Sequence, residues 1–74
     1  MKYTVKLFAT LRENRGKILE MEKSGKTSIR EITEELGIKA DDVAILLLNG
    51  RDAKLDDYPS DGDTISIFPP VGGG

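Results

Sequence analysis

The chain has 74 residues and a mass of 8.1 kDa, enough for one small domain around a single core. It has no cysteine and no histidine, which excludes a disulfide framework, a thiolate nucleophile, zinc on cysteine or histidine, and the imidazole base of a hydrolytic triad. The formal charge is −2 and the aromatic residues are two tyrosines and two phenylalanines, a balance that disfavours nucleic acid as a partner.

Residues 3–8, Tyr-Thr-Val-Lys-Leu-Phe, alternate at period two and predict a strand. Tyr3, Val5 and Leu7 share one face, and Thr4, Lys6 and Phe8 share the other. Residues 11–16, from Leu11 to Gly16, read as a polar connection. Residues 17–22 predict a second strand, antiparallel to the first, with Leu19 and Met21 on its apolar face. From Ser28 to Leu36 the period changes: Ile29, Ile32 and Leu36 form one helical stripe. Ser28 and Glu31 have capping-box spacing, and Gly37 is placed to stop the helix. So short a helix needs a sheet to pack on.

Residues 43–48 are apolar on both faces, which places them inside the sheet. Asn49-Gly50 supplies a tight hairpin turn, and residues 51–53 pair back as a short edge. Leu55 tucks beneath the sheet, Asp61-Gly62-Asp63 turns the chain, and residues 64–68 form the last strand. There Ile65 and Ile67 face one way, with Thr64, Ser66 and Phe68 facing the other. One helix covers one face, so Val5, Leu7, Ile65 and Ile67 should line it. Two hairpins joined by a helix give an α+β, β-grasp (ubiquitin-like) domain. Its mixed sheet has four to five strands, with the first and last adjacent at the centre.

The domain should occupy residues 1–68, leaving Pro69-Pro70-Val71-Gly72-Gly73-Gly74 as a flexible tail. At average usage, three consecutive glycines at a chosen place arise about three times in ten thousand. Proline cannot donate to a ladder, so the sheet stops near Phe68. Extended, six residues reach roughly 20 Å. Glycines without side chains can thread a channel as narrow as the main chain and present a carboxylate at its end. Parity puts Phe8 and Phe68 together on the open sheet face beside this tail, a candidate docking patch.

The charge is unevenly placed. Residues 1–30 carry eight basic and three acidic side chains, a net of +5, whereas residues 31–74 carry three basic and ten acidic, a net of −7. Such asymmetry can steer a charged partner, though it also describes an ordinary solvated surface. No apolar run approaches the roughly 20 residues that span a bilayer. The N-terminus alternates charged and apolar residues instead of forming a signal peptide. The expectation is a cytoplasmic domain with neither membrane nor nucleic acid as partner.

Four stretches carry a resemblance over essentially the whole chain: Phe8-Ala9-Thr10-Leu11-Arg12-Glu13, Asn49-Gly50, Asp61-Gly62-Asp63 and Phe68-Pro69-Pro70-Val71. The sequence resembles the sulfur-carrier family that includes the small subunit of molybdopterin synthase (MoaD) and the thiamine-pathway carrier (ThiS). The first and last stretches favour the molybdopterin branch. The resemblance implies a chain that is consumed and recharged and is not catalytic alone. It binds no cofactor itself. A ubiquitin-activating-like adenylating enzyme uses ATP and magnesium to form an acyl-adenylate at Gly74. Sulfur from a persulfide-bearing enzyme then displaces AMP, leaving a thiocarboxylate. The large catalytic subunit of the synthase receives the tail, with Pro69, Pro70, Val71, Gly72 and Gly73 threading to it. There the sulfur enters the dithiolene that later holds molybdenum or tungsten.

By the same resemblance, Phe8 and Phe68 meet the activating enzyme and the synthase, and Arg12 corresponds to an interface arginine. The sequence departs from the family at Asp52, a position often apolar in that patch, at Tyr58-Pro59-Ser60, and at Gly72, which only loosens the tip. A protein modifier forming isopeptide bonds and a thiamine-pathway carrier share the same tail chemistry. A β-grasp binding module without tail chemistry is the reading from a different class.

Overall fold

The computed structural model describes residues 1–70. Five strands form one mixed sheet: β1 (Lys2–Leu7), β2 (Ile18–Glu22), β3 (Ile45–Leu48), β4 (Arg51–Asp52) and β5 (Thr64–Phe68). One helix, α1 (Ile29–Glu35), covers one face, and two 3-10 helices span Ala9–Arg12 and Ala40–Asp42. The sheet order is β2-β1-β5-β3-β4. β1 and β5 are parallel neighbours, with Val5 opposite Ile65 and Leu7 opposite Ile67, and every other pairing is antiparallel. This is the β-grasp.

Alternation in the sequence becomes alternation across the sheet. Tyr3, Val5, Leu7, Ile65 and Ile67 are fully buried against Ile29 and Ile32 of α1. Leu46 and Ile38 complete the interior, and Leu19, Met21, Leu36, Leu48 and Leu55 pack half-buried around it. α1 starts where the sequence places it. The Ser28 hydroxyl accepts from the Glu31 amide at 3.1 Å, and the Glu31 carboxylate accepts from the Ser28 amide at 2.9 Å. The next unpaired amides, Ile29 and Arg30, donate to the Asp57 and Leu55 carbonyls, so the long loop before β5 closes the helix start.

Three expectations change. Leu11, read as part of a polar connection, is buried at 5% exposure as the apolar side of the first 3-10 helix. Phe8 lies just beyond β1, still extended at φ −126° and ψ 152°. Residues 43–48 are not buried on both faces: β3 begins at Ile45, which is 48% exposed. With a single helix, the sheet has one covered side, and Ile45 points away from it. Among the described residues no helix is long and apolar enough to cross a membrane.

Candidate functional site

The open side of the sheet ends in an aromatic pair. Because β1 and β5 run parallel with Lys6 opposite Ser66, the next outward residue on each is a phenylalanine. The Phe8 and Phe68 rings stack with centroids 4.1 Å apart and planes 6° from parallel. The Arg12 guanidinium lies over the Phe8 ring, 5.4 Å from its centroid, and its Nε donates to the Leu7 carbonyl at 2.9 Å. Each of these contacts stabilises by about 0.5–1.5 kcal/mol. Three residues chosen from sequence therefore form one continuous group.

Ile45 extends it. In the β3–β5 register Ile45 is paired with Phe68, so its exposed side chain borders the aromatic pair. The sequence reading missed this residue; its parity with Leu47, on a sheet covered on only one side, was the available signal. Asp52 is opposite Leu47 and exposed, at the far side of the same face, so a negative charge bounds the apolar strip there.

Pro69 and Pro70 leave the end of β5 directly beside this group. They border a recess of about 360 Å³ whose other walls are Thr10, Leu11, Arg15 and Asp42. Val71, Gly72, Gly73 and Gly74 lie outside the described residues.

The segment between Phe8 and β2 is held with unusual care. Ala9 and Asn14 adopt left-handed φ values of 53° and 60°, costly for residues other than glycine. Arg15 stabilises the turn: its Nε donates to Leu36 O at 2.8 Å, Nη1 to Leu11 O at 3.2 Å and Nη2 to Gly37 O at 3.2 Å. The polar appearance of residues 11–16 hid both this arginine and Leu11, since their partners are distant in sequence.

The opposite end of the sheet carries a polar clip. Asn49 donates from Nδ2 to Asp63 at 2.9 Å and accepts from the Thr64 amide at 2.9 Å. The Ser60 amide donates to the other Asp63 oxygen at 2.7 Å. These two donors, the Asn49 amide foremost, hold the Asp63 carboxyl below the usual carboxylate range. Asn49-Gly50 and Asp61-Gly62-Asp63 thus form one unit, joining both turns at the end remote from the tail.

A β-grasp domain with an aromatic and arginine group at the root of a Pro-Pro-Val-Gly-Gly-Gly segment defines a ubiquitin-like carrier. The ThiS family model matches residues 5–74, and the chain belongs to that family, the MoaD/ThiS-like sulfur carriers. No curated protein matches it. Among solved structures, a Pyrococcus furiosus protein described as molybdopterin converting factor subunit 1 is 28% identical, with a TM-score of 0.77 over 96% of this chain and 99% of that one. The Helicobacter pylori complex of molybdopterin-converting factor subunits 1 and 2 matches at 25% identity and a TM-score of 0.66, with both chains fully covered. SAMP1 from Haloferax volcanii is similar in fold, at 24% identity and a TM-score of 0.78 over the whole of both chains.

Proposed function

We propose that this chain carries sulfur for molybdopterin synthesis on its C-terminal glycine, Gly74. The observation that carries the reading is the Phe68–Phe8–Arg12 group at the point where Pro69 leaves the central strand. A partner that grips this group stands where the tail begins, and the length of six residues allows a reach of at most roughly 20 Å. Phe8, Phe68 and Ile45 supply apolar area to such a partner, and Arg12 supplies a charge that an acidic partner residue can meet. Membership of the family and the 28% identity to the Pyrococcus furiosus protein support the molybdopterin branch.

The chemistry follows from what a carboxylate lacks. Its charge is delocalised and oxide is a poor leaving group, so it must first be activated. An adenylating enzyme, using ATP and magnesium, joins the Gly74 carboxylate to AMP and releases pyrophosphate. The terminal sulfur of a persulfide-bearing enzyme displaces AMP to form an acyl disulfide. A second thiol then cleaves the S–S bond, ending as a disulfide with the enzyme's sulfur and releasing the thiocarboxylate. The resulting thiocarboxylate is anionic near neutral pH and has a polarizable sulfur, so it attacks as a thiolate does. The large synthase subunit is the acceptor's host; the Helicobacter pylori complex supports a pairing of this kind. The present chain contributes the carrier, the docking group and the tail, and the chemistry is performed by its partners.

Intact mass of the chain purified from cells containing the activating enzyme and a sulfur source tests the proposal. A population with one oxygen replaced by sulfur at the C-terminus is expected. Absence of that species both in cells and after reconstitution refutes it. High-mass conjugates lost on removing Gly74 would instead assign the chain to protein modification.

A further inference from the structure

α1 ends on the wrong charges for its own carbonyls. Its last residues are Glu34 and Glu35, and its final turn contains no basic residue. Cations are the favourable neighbours of a helix C-terminus, where unpaired carbonyls concentrate negative potential. Here the cation comes from elsewhere in the chain: the Arg15 guanidinium bonds to the Leu36 and Gly37 carbonyls. Gly37 has φ +75°, so glycine makes the turn that presents these carbonyls, and a Cβ there would meet Arg15 Nη2 only at an ordinary contact distance of 3.8 Å.

The same side chain reaches back to Leu11 O, one residue before Arg12. The Arg15 backbone amide donates to Arg12 O at 3.0 Å, and the Gly16 amide does so at 2.9 Å. Arg15 is therefore a strut between the end of α1 and the 3-10 helix that carries Arg12. That helix begins immediately after Phe8, through Ala9 in its left-handed conformation. A strained connection keeps its shape only when its surroundings over-determine it. Buried Leu11 is one such constraint, the Arg12 bond to the Leu7 carbonyl is a second, and Arg15 is a third, the one that comes from the end of α1. Arg15 and Leu11 also wall the recess against Pro69 and Pro70, so the strut reaches the root of the tail as well.

We propose that Arg15 is a positioning residue for partner docking: it holds the Ala9–Arg12 turn so that Phe8 stacks on Phe68 and Arg12 lies over Phe8. This role in docking rests on the reading given under Proposed function, whereas the effect on the aromatic stack is a property of the free chain.

The test uses Arg15→Ala, Arg15→Lys and, as a control for general destabilisation, Ser28→Ala at the opposite end of α1. All are compared at a temperature where each remains folded. With only two phenylalanines in the chain, the ring-proton NMR resonances of Phe8 and Phe68 can be assigned directly. Arg15→Ala should shift both toward their unstacked positions, Arg15→Lys should restore part of the shift, and Ser28→Ala should leave both unchanged. In ATP-dependent activation by the adenylating enzyme, Arg15→Ala should raise KM for the chain about tenfold with kcat unchanged, as expected when docking geometry and not chemistry is disturbed. Wild-type ring resonances in Arg15→Ala, or an equal shift in Ser28→Ala, overturns the inference. A Phe8→Ala chain whose KM equals that of the wild type would instead overturn the docking reading, leaving the ring measurement to decide the role of Arg15 in the stack.

Discussion

Asp63 links two turns through donors that prefer it ionised, and that preference has a pH signature. Its folded pKa is held below the unfolded value by the Asn49 side-chain amide and the Ser60 backbone amide. The stabilisation is complete above the unfolded carboxylate value and is lost as pH falls through the folded one. Asn49 itself has φ 52°, so glycine is the substitution that removes the amide without straining the turn. Thermal melts of Asn49→Gly between about pH 5 and pH 2 should fall less steeply than those of the wild type, because less acid-labile stabilisation remains to be lost. Identical slopes would show that Asn49 contributes nothing to the Asp63 shift. At this scale the sequence was partly legible. Phe8, Phe68 and Arg12 could be brought together from parity and motif, because regular strands transmit parity. Leu11 and Arg15 could not, because a 3-10 turn places side chains by contacts distant in sequence, whereas Ile45 was available from its parity with Leu47 on a sheet covered on one side.

α1 shows why its element was readable and how it can be tested. Ser28 and Glu31 declare its start by spacing alone, and both reciprocal hydrogen bonds are present. Ile29 and Ile32 follow at helical spacing and are fully buried, while Thr33, overlooked as a polar residue, is buried by turning its hydroxyl to Arg30 O at 2.9 Å. Ser28→Ala should cost about 1 kcal/mol of unfolding free energy in urea, with the m-value unchanged. A loss of only a few tenths would mean that the Leu55 and Asp57 carbonyls alone suffice to hold the helix start. The strands were equally legible wherever one face meets α1, as in β1 and β5. β3 was misjudged because an apolar run signals burial without saying how many layers are available to provide it. Its residues Leu46 and Leu48 turn inward, and the outward Ile45 becomes part of the strip beside Phe68.

The whole molecule separates two tasks by distance along the sheet. The polar Asn49–Asp63 clip closes the end where β5 begins, and the aromatic group lies where it ends. The core and the clip lie away from the end with the prolines, where the proposed carrier function is placed. Removing Gly74 should abolish ATP-dependent charging and leave the melting temperature and amide NMR spectrum unchanged. A substantial drop in melting temperature would contradict that division. The overall topology followed from the order of elements, since a helix between two hairpins leaves few ways to cover one sheet face.

Because β5 is flanked on both sides, by β1 and by β3, a partner that tugs on Pro70 loads two ladders at once. Against β1 the pull runs along the strands, so the hydrogen bonds resist together in shear instead of parting one after another like a zip. The globule can thus serve as a firm handle, drawn repeatedly by one end without being unravelled.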